Sequence, residues 1–217
     1  MTNEQYKALS IREFDKAARK YESGHAGIYE LCKKDYPPIL EELEKEPFET
    51  LLDCGCGTGP MLSLLAEQYP ERRYTGIDMS PEMIKTARSK GLQGVEFILG
   101  DCENLPFADN SFDVVICSQS FHHYPQPQSF FSGVCRVLKA NGRLILRDMT
   151  GPDWIVMIMN HIEMPLANLL GHGDVRGYTC REVRNLCSGA GLIPETVERR
   201  GGFRLHCVAR KPADRRE

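Results

Sequence analysis

A glycine-rich loop directly after a short apolar segment is the first feature of this chain that could do chemistry. Residues 50–53 predict a β-strand, and Gly55, Gly57 and Gly59 follow it at every second position. Glycine allows backbone φ angles that other residues avoid, and it lets a ligand approach the main chain without a Cβ in the way. A strand that enters such a loop before a helix is typical of a nucleotide-binding site.

The acidic residue Asp53 precedes the first glycine by two positions and indicates the charge of the ligand. A dinucleotide fingerprint would need its third glycine where Pro60 stands, and Asp53 would repel a diphosphate. A cationic amino group would be attracted instead. S-adenosylmethionine carries an α-amino group and a sulfonium, so Asp53 favours this cofactor over a nicotinamide dinucleotide.

Two further acids follow predicted strands. Asp78 closes the second strand and could accept hydrogen bonds from both ribose hydroxyls, and Asp101 follows the third strand and could accept one from the adenine amino group. Either residue alone is more often a turn or helix-cap residue. Acids at the ends of three consecutive strands, with a glycine loop on the first, make a much stronger constellation.

Short apolar runs alternate with amphipathic helices from Phe48 onward, which predicts βαβ units and a parallel sheet. Residues 3 to about 46 predict two helices with a break around Ser23-Gly24, and Pro37-Pro38 must kink or restart the second. A helix that carries Phe130 is expected to end at Asn141-Gly142. The remaining predicted elements are strands at 50–53, 74–77, 95–99, 112–117 and 144–146, a helix at 179–190 and a hairpin at 192–199 and 203–210 around Gly201-Gly202.

Four segments in sequence order resemble a known family: DCGCGTG, GIDMSPEMI, GDCENLPF and FDVVICSQSFHHY. They are similar to the motifs of class I S-adenosylmethionine-dependent methyltransferases, and most similar to the small-molecule branch with quinone-biosynthesis-like enzymes. The opening FDKAARKYESG and the ending YTCREVRNLCSGAGL also fit. The resemblance implies a Rossmann-like, doubly wound α/β fold with a mostly parallel seven-stranded sheet, its last strand antiparallel, and an N-terminal helical cap.

The resemblance also implies roles for individual residues. The glycine loop would hold the methionine part of the cofactor. Residues at the end of the second strand would bind its ribose and pack on its adenine, and residues at the end of the third strand would contact the adenine edge. Two residues after the fourth strand would complete the methionine pocket. The implied cofactor-binding residues are, in that order, Asp53, Gly55, Cys56 and Gly57; Asp78 and Met79; Asp101 and Cys102; and Ser118 and Gln119.

His122 and His123 directly follow the fourth strand, on the loop that would face the methyl group. An imidazole titrates near neutral pH and could remove a proton from the acceptor, which makes both residues candidate catalytic residues. The alternative is that one histidine packs structurally and that no base is needed. Methyl transfer can depend mainly on in-line positioning and desolvation.

An apolar stripe predicts a third helical region over residues 154–170. The stripe consists of Trp154, Ile155, Ile158, Ile162, Leu166 and Leu169 at helical spacing, and other faces of the segment are also apolar. A helix that is apolar nearly all round is usually buried in a core or an interface, so a core or homodimer contact is favoured over a lid on an apolar acceptor.

Bulk composition excludes several classes of protein. The formal net charge of −3 lacks the basic excess of a nucleic-acid binder. The N-terminus has no apolar signal-peptide core, and the most apolar window is too short and too polar to span a membrane. Nine cysteines occur without a CxxC pair, so free thiols in the cytoplasm are expected and no metal site is predicted.

The sequence therefore predicts one methyltransferase domain over residues 1–217 that transfers a methyl group to a small-molecule acceptor. A non-catalytic module that binds the cofactor and regulates a partner is the alternative, because binding residues alone do not create turnover. The expected parts are a helical cap (1–46), a cofactor-binding core (48–150), an inserted apolar helical region (152–177) and a final helix and hairpin (178–211).

Overall fold

A seven-stranded sheet forms the centre of the molecule in the computed structural model, which describes residues 1–22, 30 and 32–213. The strand order is β3-β2-β1-β4-β5-β7-β6. The strands are β1 (Thr50–Cys54), β2 (Arg73–Asp78), β3 (Val95–Leu99), β4 (Phe112–Ser118), β5 (Leu138–Met149), β6 (Ile193–Arg200) and β7 (Arg204–Arg210).

The order of the strands reverses beside β1. From β1 the chain proceeds outward to β2 and β3, and it then crosses back to place β4 on the other side of β1. Strands β1 to β5 pair in parallel, whereas β7 runs antiparallel to both β5 and β6. This topology confirms the predicted fold class with its antiparallel last strand. It also places a ligand-binding crevice at the carboxyl ends of β1 and β4.

Helices cover both faces of the sheet. They are α1 (Asn3–Ala17, followed by a 3₁₀ turn Ala18–Lys20), α2 (Tyr36–Glu44), α3 (Pro60–Gln68), α4 (Pro81–Ser89), α5 (Pro127–Val137), α6 (Asp153–Ile158), α7 (Met164–Leu169) and α8 (Cys180–Gly189). Thr2, Ser80 and Thr179 cap their helices by accepting backbone N–H groups of the first turn, as expected of hydroxyl side chains there. None of the helices in the described ranges is long and apolar enough to cross a membrane.

The core has two layers because successive strand residues point to opposite faces of the sheet. Leu51 faces a buried cluster beneath α2, α3 and α4, and Leu52 faces a second cluster beneath α5 and α8. Burying each such leucine completely contributes about 1.5–3 kcal/mol. By the same alternation, Asp53 shares a face with Leu51, and residues of β4 and β5 divide between the two layers.

The hairpin and the final helix match the prediction, but the end of α5 does not. This helix ends at Val137, because β5 begins at Leu138 and Asn141 lies within the strand segment with φ of 63°. The fifth strand is therefore much longer than the predicted 144–146. Pro37 and Pro38 lie at the start of α2, so they restart a helix. The predicted break around Ser23-Gly24 lies outside the described residues.

The apolar stripe over 154–170 is helical but does not join the core, so that part of the prediction is wrong. A π-helical turn over Met159–Glu163 links α6 and α7. Only one side of this region is buried, through Val156 and Met164. The exposed apolar side chains are Trp154, Met157, Ile158, Ile162, Leu166, Leu169 and Leu170. The helical spacing is correct, but spacing alone does not show which face a neighbouring element covers.

Candidate functional site

The glycine loop lies at the carboxyl end of β1, next to the end of β2. The backbone N–H groups of Gly55 and Cys56 both donate to the Ile77 carbonyl oxygen, at 2.8 and 3.1 Å. Gly55 has φ of 74°, and a Cβ there would lie 1.9 Å from Ser120 Oγ. The loop therefore needs glycine both for its conformation and for its close approach to the β4–α5 segment. The Cys56 side chain is buried beneath the loop.

Asp53 is a buried carboxylate whose charge is not compensated by an adjacent cation among the described residues. Burial raises its pKa to about 7, and nearby Asp78 adds to the rise. A neighbouring lysine or arginine would have lowered the pKa instead. Asp53 lines a small space together with Gly55, Gly57 and Ser118. The Ser118 Oγ is buried and has no hydrogen-bond partner in the described part of the chain. These polar groups suit an incoming ligand that carries a cationic amino group.

Asp78 holds the glycine loop to the next strand end. Its Oδ2 accepts the N–H of Gly57 at 2.9 Å, and its Oδ1 accepts the N–H of Ser80 at 2.9 Å. Burial raises the pKa of Asp78 despite these bonds. Each carboxylate oxygen has two acceptor sites, so the carboxylate can still accept two hydroxyl groups. Met79 lies beside it at the edge of the same space.

Asp101 has a partner that the sequence did not suggest. Lys7 on α1 places its Nζ 2.7 Å from Asp101 Oδ2 and 2.6 Å from Glu103 Oε2. Burial lowers the pKa of Lys7, but these two acids outweigh burial and raise it. Nothing in the local pattern of α1 marks Lys7, because the pairing spans 94 residues. Cys102 is buried and lines the same space as Asp78 and Lys7.

Together these residues form a cleft, called here the acidic cleft, which α1 covers. Its two spaces share Gly55 and have volumes of about 50 and 30 Å³. Lys7, Ser10 and Phe14 of α1 line the larger of the two. Asp15 ties the same helix to the start of α4 by accepting the Ser80 hydroxyl at 2.6 Å. The helix α1 therefore packs over the carboxyl ends of the strands at which the glycine loop lies.

A second cavity of about 200 Å³, called here the histidine cavity, adjoins the acidic cleft. It shares Phe14 and His123 with one space of the cleft, and Tyr21 and Cys32 with the other. Its lining residues are Glu13, Phe14, Tyr21, Cys32, Gln119, His122, His123, Met149, His172 and Asp174. Gln119, with φ of 51°, lies at this cavity and donates its Nε2 to Asp35 at 2.7 Å.

The predicted pair His122–His123 lies in this cavity on a 3₁₀ turn after β4. His122 Nδ1 is 2.7 Å from Asp148 Oδ1, and the same carboxylate accepts the His122 backbone N–H at 3.2 Å. Burial lowers the pKa of His122, but Asp148 more than offsets this and raises it. Burial and the neighbouring His122 lower the pKa of His123 to about 4. The pKa values of the two adjacent imidazoles are therefore shifted in opposite directions, and Asp148 orients the first of them.

A larger groove of about 620 Å³ lies elsewhere, at the amino-terminal ends of the strands. It is lined by residues such as Thr50, Arg73, Val95 and Phe112. Ligands of open parallel sheets bind at the opposite, carboxyl edge. The acidic cleft and the histidine cavity are therefore the better candidate site despite their smaller volume.

The sheet topology and the acids at three strand ends define the class I fold of S-adenosylmethionine-dependent methyltransferases. A family model described as a methyltransferase domain matches residues 45–175. The chain therefore belongs to this methyltransferase family. The match covers the glycine loop, the acids and the histidine pair.

Curated relatives share part of their length with this chain. A demethylmenaquinone methyltransferase from Thermotoga maritima is 32% identical over 148 residues, which are 68% of this chain and 64% of the relative. A phthiotriol/phenolphthiotriol dimycocerosates methyltransferase from Mycobacterium leprae is 41% identical over 100 residues, covering 46% of this chain and 37% of the relative. The chain thus spans less than two thirds of these relatives.

Solved structures show the same fold at lower sequence identity. The 1,6-didemethyltoxoflavin-N1-methyltransferase of Burkholderia thailandensis, with bound 1,6-didemethyltoxoflavin and S-adenosylhomocysteine, has a TM-score of 0.71 at 20% identity. The superposition covers 98% of this chain and 91% of that one. A SAM-dependent methyltransferase from Aquifex aeolicus has a TM-score of 0.65 at 22% identity, covering 93% and 96%.

Proposed function

We propose that this protein transfers a methyl group from S-adenosylmethionine to a small-molecule acceptor. The observation that carries the proposal is the uncompensated Asp53 carboxylate beside a glycine loop, in a cleft that opens into the histidine cavity. A buried carboxylate without a cation is costly unless a ligand supplies the opposite charge. The relatives named as methyltransferases of demethylmenaquinone and of phthiotriol/phenolphthiotriol dimycocerosates support a small-molecule acceptor here.

The cofactor would lie across the acidic cleft. Asp53 and Ser118 would face its methionine part, and Asp78 would accept the ribose hydroxyls. Lys7 would have to share or release Asp101 if this carboxylate is to accept the adenine amino group. The proposed binding residues are Asp53, Gly55, Cys56, Gly57, Asp78, Met79, Asp101, Cys102, Ser118 and Gln119.

Bound S-adenosylmethionine supplies an electrophilic methyl group on a sulfonium. The chain contributes the geometry: the glycine loop holds the donor at the strand ends, and the histidine cavity holds the acceptor in line with it. Because α1 covers the cleft, it would exclude water from the junction of the two spaces. His122 and His123 would contact the acceptor, because both line the cavity next to that junction.

The alternative of a non-catalytic binding module predicts cofactor binding without turnover. The protein can be incubated with methyl-labelled S-adenosylmethionine and fractionated metabolites, and mass spectrometry can then identify any small molecule that gains the label. We expect a labelled small molecule and release of S-adenosylhomocysteine. Tight cofactor binding with no labelled product in any fraction would favour the binding module and contradict the proposal.

Cofactor affinity is expected to fall below pH 7. Burial raises the pKa of Asp53 to about 7 in the ligand-free protein, and only its ionised form attracts the amino group of the cofactor. Binding below pH 7 must therefore release a proton, and the dissociation constant should rise about tenfold per pH unit until the pKa of the complex is reached. Calorimetry of S-adenosylhomocysteine binding between pH 5 and 8, in buffers of different ionisation enthalpy, measures both effects. A constant affinity without proton release would contradict this role of Asp53.

Replacing Asp78 by alanine is expected to weaken cofactor binding about tenfold or more. Losing even one of the two hydrogen bonds to this charged group, worth about 1.5–3 kcal/mol, is enough for a tenfold loss, because 1.4 kcal/mol corresponds to a factor of ten. Asp109→Ala serves as the control, because Asp109 is an exposed acid paired with Arg136. Since Asp78 also binds the glycine loop, circular dichroism must show that the variant is folded. Unchanged affinity in a folded variant would contradict the ribose assignment.

We further propose one methyltransferase domain that includes the cap and the 152–177 region. The nine cysteines of the chain occur as free thiols in the structure, which supports a reducing compartment such as the cytoplasm.

A homodimer through the exposed apolar residues of 154–170 stays a prediction, and size-exclusion chromatography with light scattering tests it.

A further inference from the structure

Three side chains that could bind a metal converge on the wall of the histidine cavity. We propose that His122, His123 and Asp174 form a site for a divalent transition-metal ion. One donor atom from each residue lies within 4.8 Å of the others. The inference rests on the proposed function, because the metal ion would bind the acceptor of the proposed methyl transfer. It departs from the expectation of no metal site, which considered only residues close in sequence.

The spacing of the donors fits a metal better than a hydrogen bond. Asp174 Oδ1 lies 3.6 Å from His122 Nε2 and 3.4 Å from His123 Nδ1. Hydrogen bonds between such atoms are normally about 2.7–3.2 Å long. Donors that bind one tetrahedral ion at about 2.0–2.1 Å lie about 3.3 Å apart. The carboxylate therefore stands near the separation at which it could share an ion with either imidazole, and the three donor atoms lie within 4.8 Å of one another.

A second carboxylate, that of Asp148, contacts the ring nitrogen of His122 that does not face Asp174. Asp148 Oδ1 lies 2.7 Å from His122 Nδ1, which leaves His122 Nε2 free to face Asp174. Metal-binding histidines almost always donate their other ring N–H to such a group, because this fixes the ring and its tautomer. Asp148 would be a positioning residue for the site, acting on the metal through His122.

The segment that carries Asp174 is fixed independently of any metal. The N–H of Val175 donates to the His122 carbonyl oxygen at 2.9 Å, and the Asn168 amide donates to the Asp174 carbonyl oxygen at 2.7 Å. Glu13 of α1 accepts the N–H of Gly173 at 3.1 Å. His123 Nδ1 lies 3.2 Å from the Gly173 carbonyl oxygen, and this contact would be exchanged for the metal. The site is otherwise preorganised.

The donor set indicates the class of metal and of acceptor. Imidazole donors with one carboxylate suit Zn²⁺, Fe²⁺, Co²⁺ or Ni²⁺, whereas Mg²⁺ and Ca²⁺ prefer oxygen donors. Three protein ligands leave a position open toward the cavity, as in catalytic zinc sites. An acceptor hydroxyl or thiol at that position would lose its proton to water more readily. The oxygen or sulfur of the acceptor would then bond to the methyl carbon. The bond between this carbon and the sulfonium sulfur would break at the same time, and its two electrons would pass to the sulfonium sulfur. The expected acceptors are therefore small molecules with a metal-coordinating hydroxyl or thiol.

Metal titration of the full chain tests the site without reference to activity. The protein is first treated with EDTA to remove metal ions, and the EDTA is then removed. Binding of Co²⁺ is followed by absorption spectroscopy and binding of Zn²⁺ by calorimetry. We expect one ion per chain. Asp174→Asn and His122→Ala should weaken binding at least about 100-fold, and Asp148→Asn about 10–100-fold, the usual effect of losing a supporting carboxylate. His161→Ala is the matched control, because His161 is an exposed histidine that faces its own helix backbone at Met157.

The outcomes separate this inference from the proposed function. Absence of stoichiometric binding, or equal binding by the Asp174→Asn variant, would overturn the metal site, and the histidine pair would then act on the acceptor alone. Equal weakening in the His161→Ala control would also overturn it. Binding of S-adenosylhomocysteine by the same variants shows that they are folded. Failure of the wild-type protein to bind that nucleoside, or to release labelled product, would instead contradict the proposed function and leave the metal titration unaffected.

Discussion

Replacing Asp53 by asparagine is expected to lower the affinity for S-adenosylhomocysteine by about 30-fold or more at pH 8. The proposed partner of Asp53 is the cationic amino group of the nucleoside, in a buried environment. Removing one partner of such a pair costs about 2–5 kcal/mol, because the other charge is left without compensation. Asparagine keeps the shape of the side chain, so the loss would report the charge.

The same substitution should not destabilise the ligand-free protein. Burial raises the pKa of Asp53, so the folded chain holds this proton more readily than the unfolded chain does. Its contribution to stability is present at low pH and is lost as pH rises through about 7, where the buried carboxylate ionises. The Asp53→Asn variant is therefore expected to unfold at the same urea concentration as the wild type at pH 8, or at a higher one. A site residue that costs stability in this way is common where binding requires a buried charge.

Calorimetry measures the affinity of the Asp53→Asn variant for S-adenosylhomocysteine, and urea denaturation of the same samples measures its stability. Asp109→Asn provides the control for removing a carboxylate from the surface, since Asp109 is 67% exposed. Loss of binding together with loss of stability would mean that the variant is merely misfolded. Unchanged affinity in a stable variant would show that Asp53 does not face the nucleoside, and the assignment of the acidic cleft would fail.

The sequence predicted the parts of the site that depend on local pattern. Strand ends are marked by a change from apolar to polar residues, so this change alone places Asp53, Asp78 and Asp101 at one edge of the sheet. The parallel order of the strands then places all three at the edge where ligands of such sheets bind, and Asp53 and Asp78 lie close enough to affect each other's charge. The glycine loop is recognisable for the same reason, because its conformational demands are local.

Partners brought together by the fold could not be predicted in this way. Lys7 meets Asp101, and Asp148 and Asp174 meet His122, across 94, 26 and 52 residues of chain. No periodicity within α1 or β5 distinguishes these residues from ordinary surface charges. The predicted core contact of the 154–170 stripe was wrong for a related reason: its helical spacing was correct, but no element of the described chain covers its outer face.

Asp35 illustrates the same limit and leads to the largest expected effect on stability. It occupies the position before α2, where an aspartate usually caps the helix, yet its side chain makes no capping bond. Its carboxylate instead accepts from Arg147 Nε at 3.0 Å, from Arg204 at 2.5 Å and from Gln119 at 2.7 Å. Asp35 is fully buried, and Arg147 is nearly so. This cluster joins the start of α2 to β5 and β7.

Replacing Asp35 by asparagine is expected to lower the free energy of unfolding by about 3–5 kcal/mol. Removing one partner of a buried ion pair leaves an uncompensated charge in a medium of low polarity. The effect should be large here because the Arg147 guanidinium already has one buried nitrogen, NH1, without a hydrogen-bond partner among the described residues. Asparagine retains an acceptor oxygen, so loss of the negative charge is the main cause.

Urea denaturation of Asp35→Asn beside Asp153→Asn measures this effect. Asp153 also pairs with an arginine, Arg181, but the two side chains are 70% and 77% exposed, so the control should change stability by no more than about 1 kcal/mol. The double variant Asp35→Leu with Arg147→Met removes the two most deeply buried charges of the cluster and leaves Arg204, whose side chain is 18% exposed. It should recover part of the loss, because apolar side chains can replace a buried ion pair at little cost. If Asp35→Asn proves as mild as the exposed control, the buried cluster does not hold α2 to the sheet. The packing of Ile39 and Leu43, with the contacts that α2 makes to Arg143 and His206, must then do so.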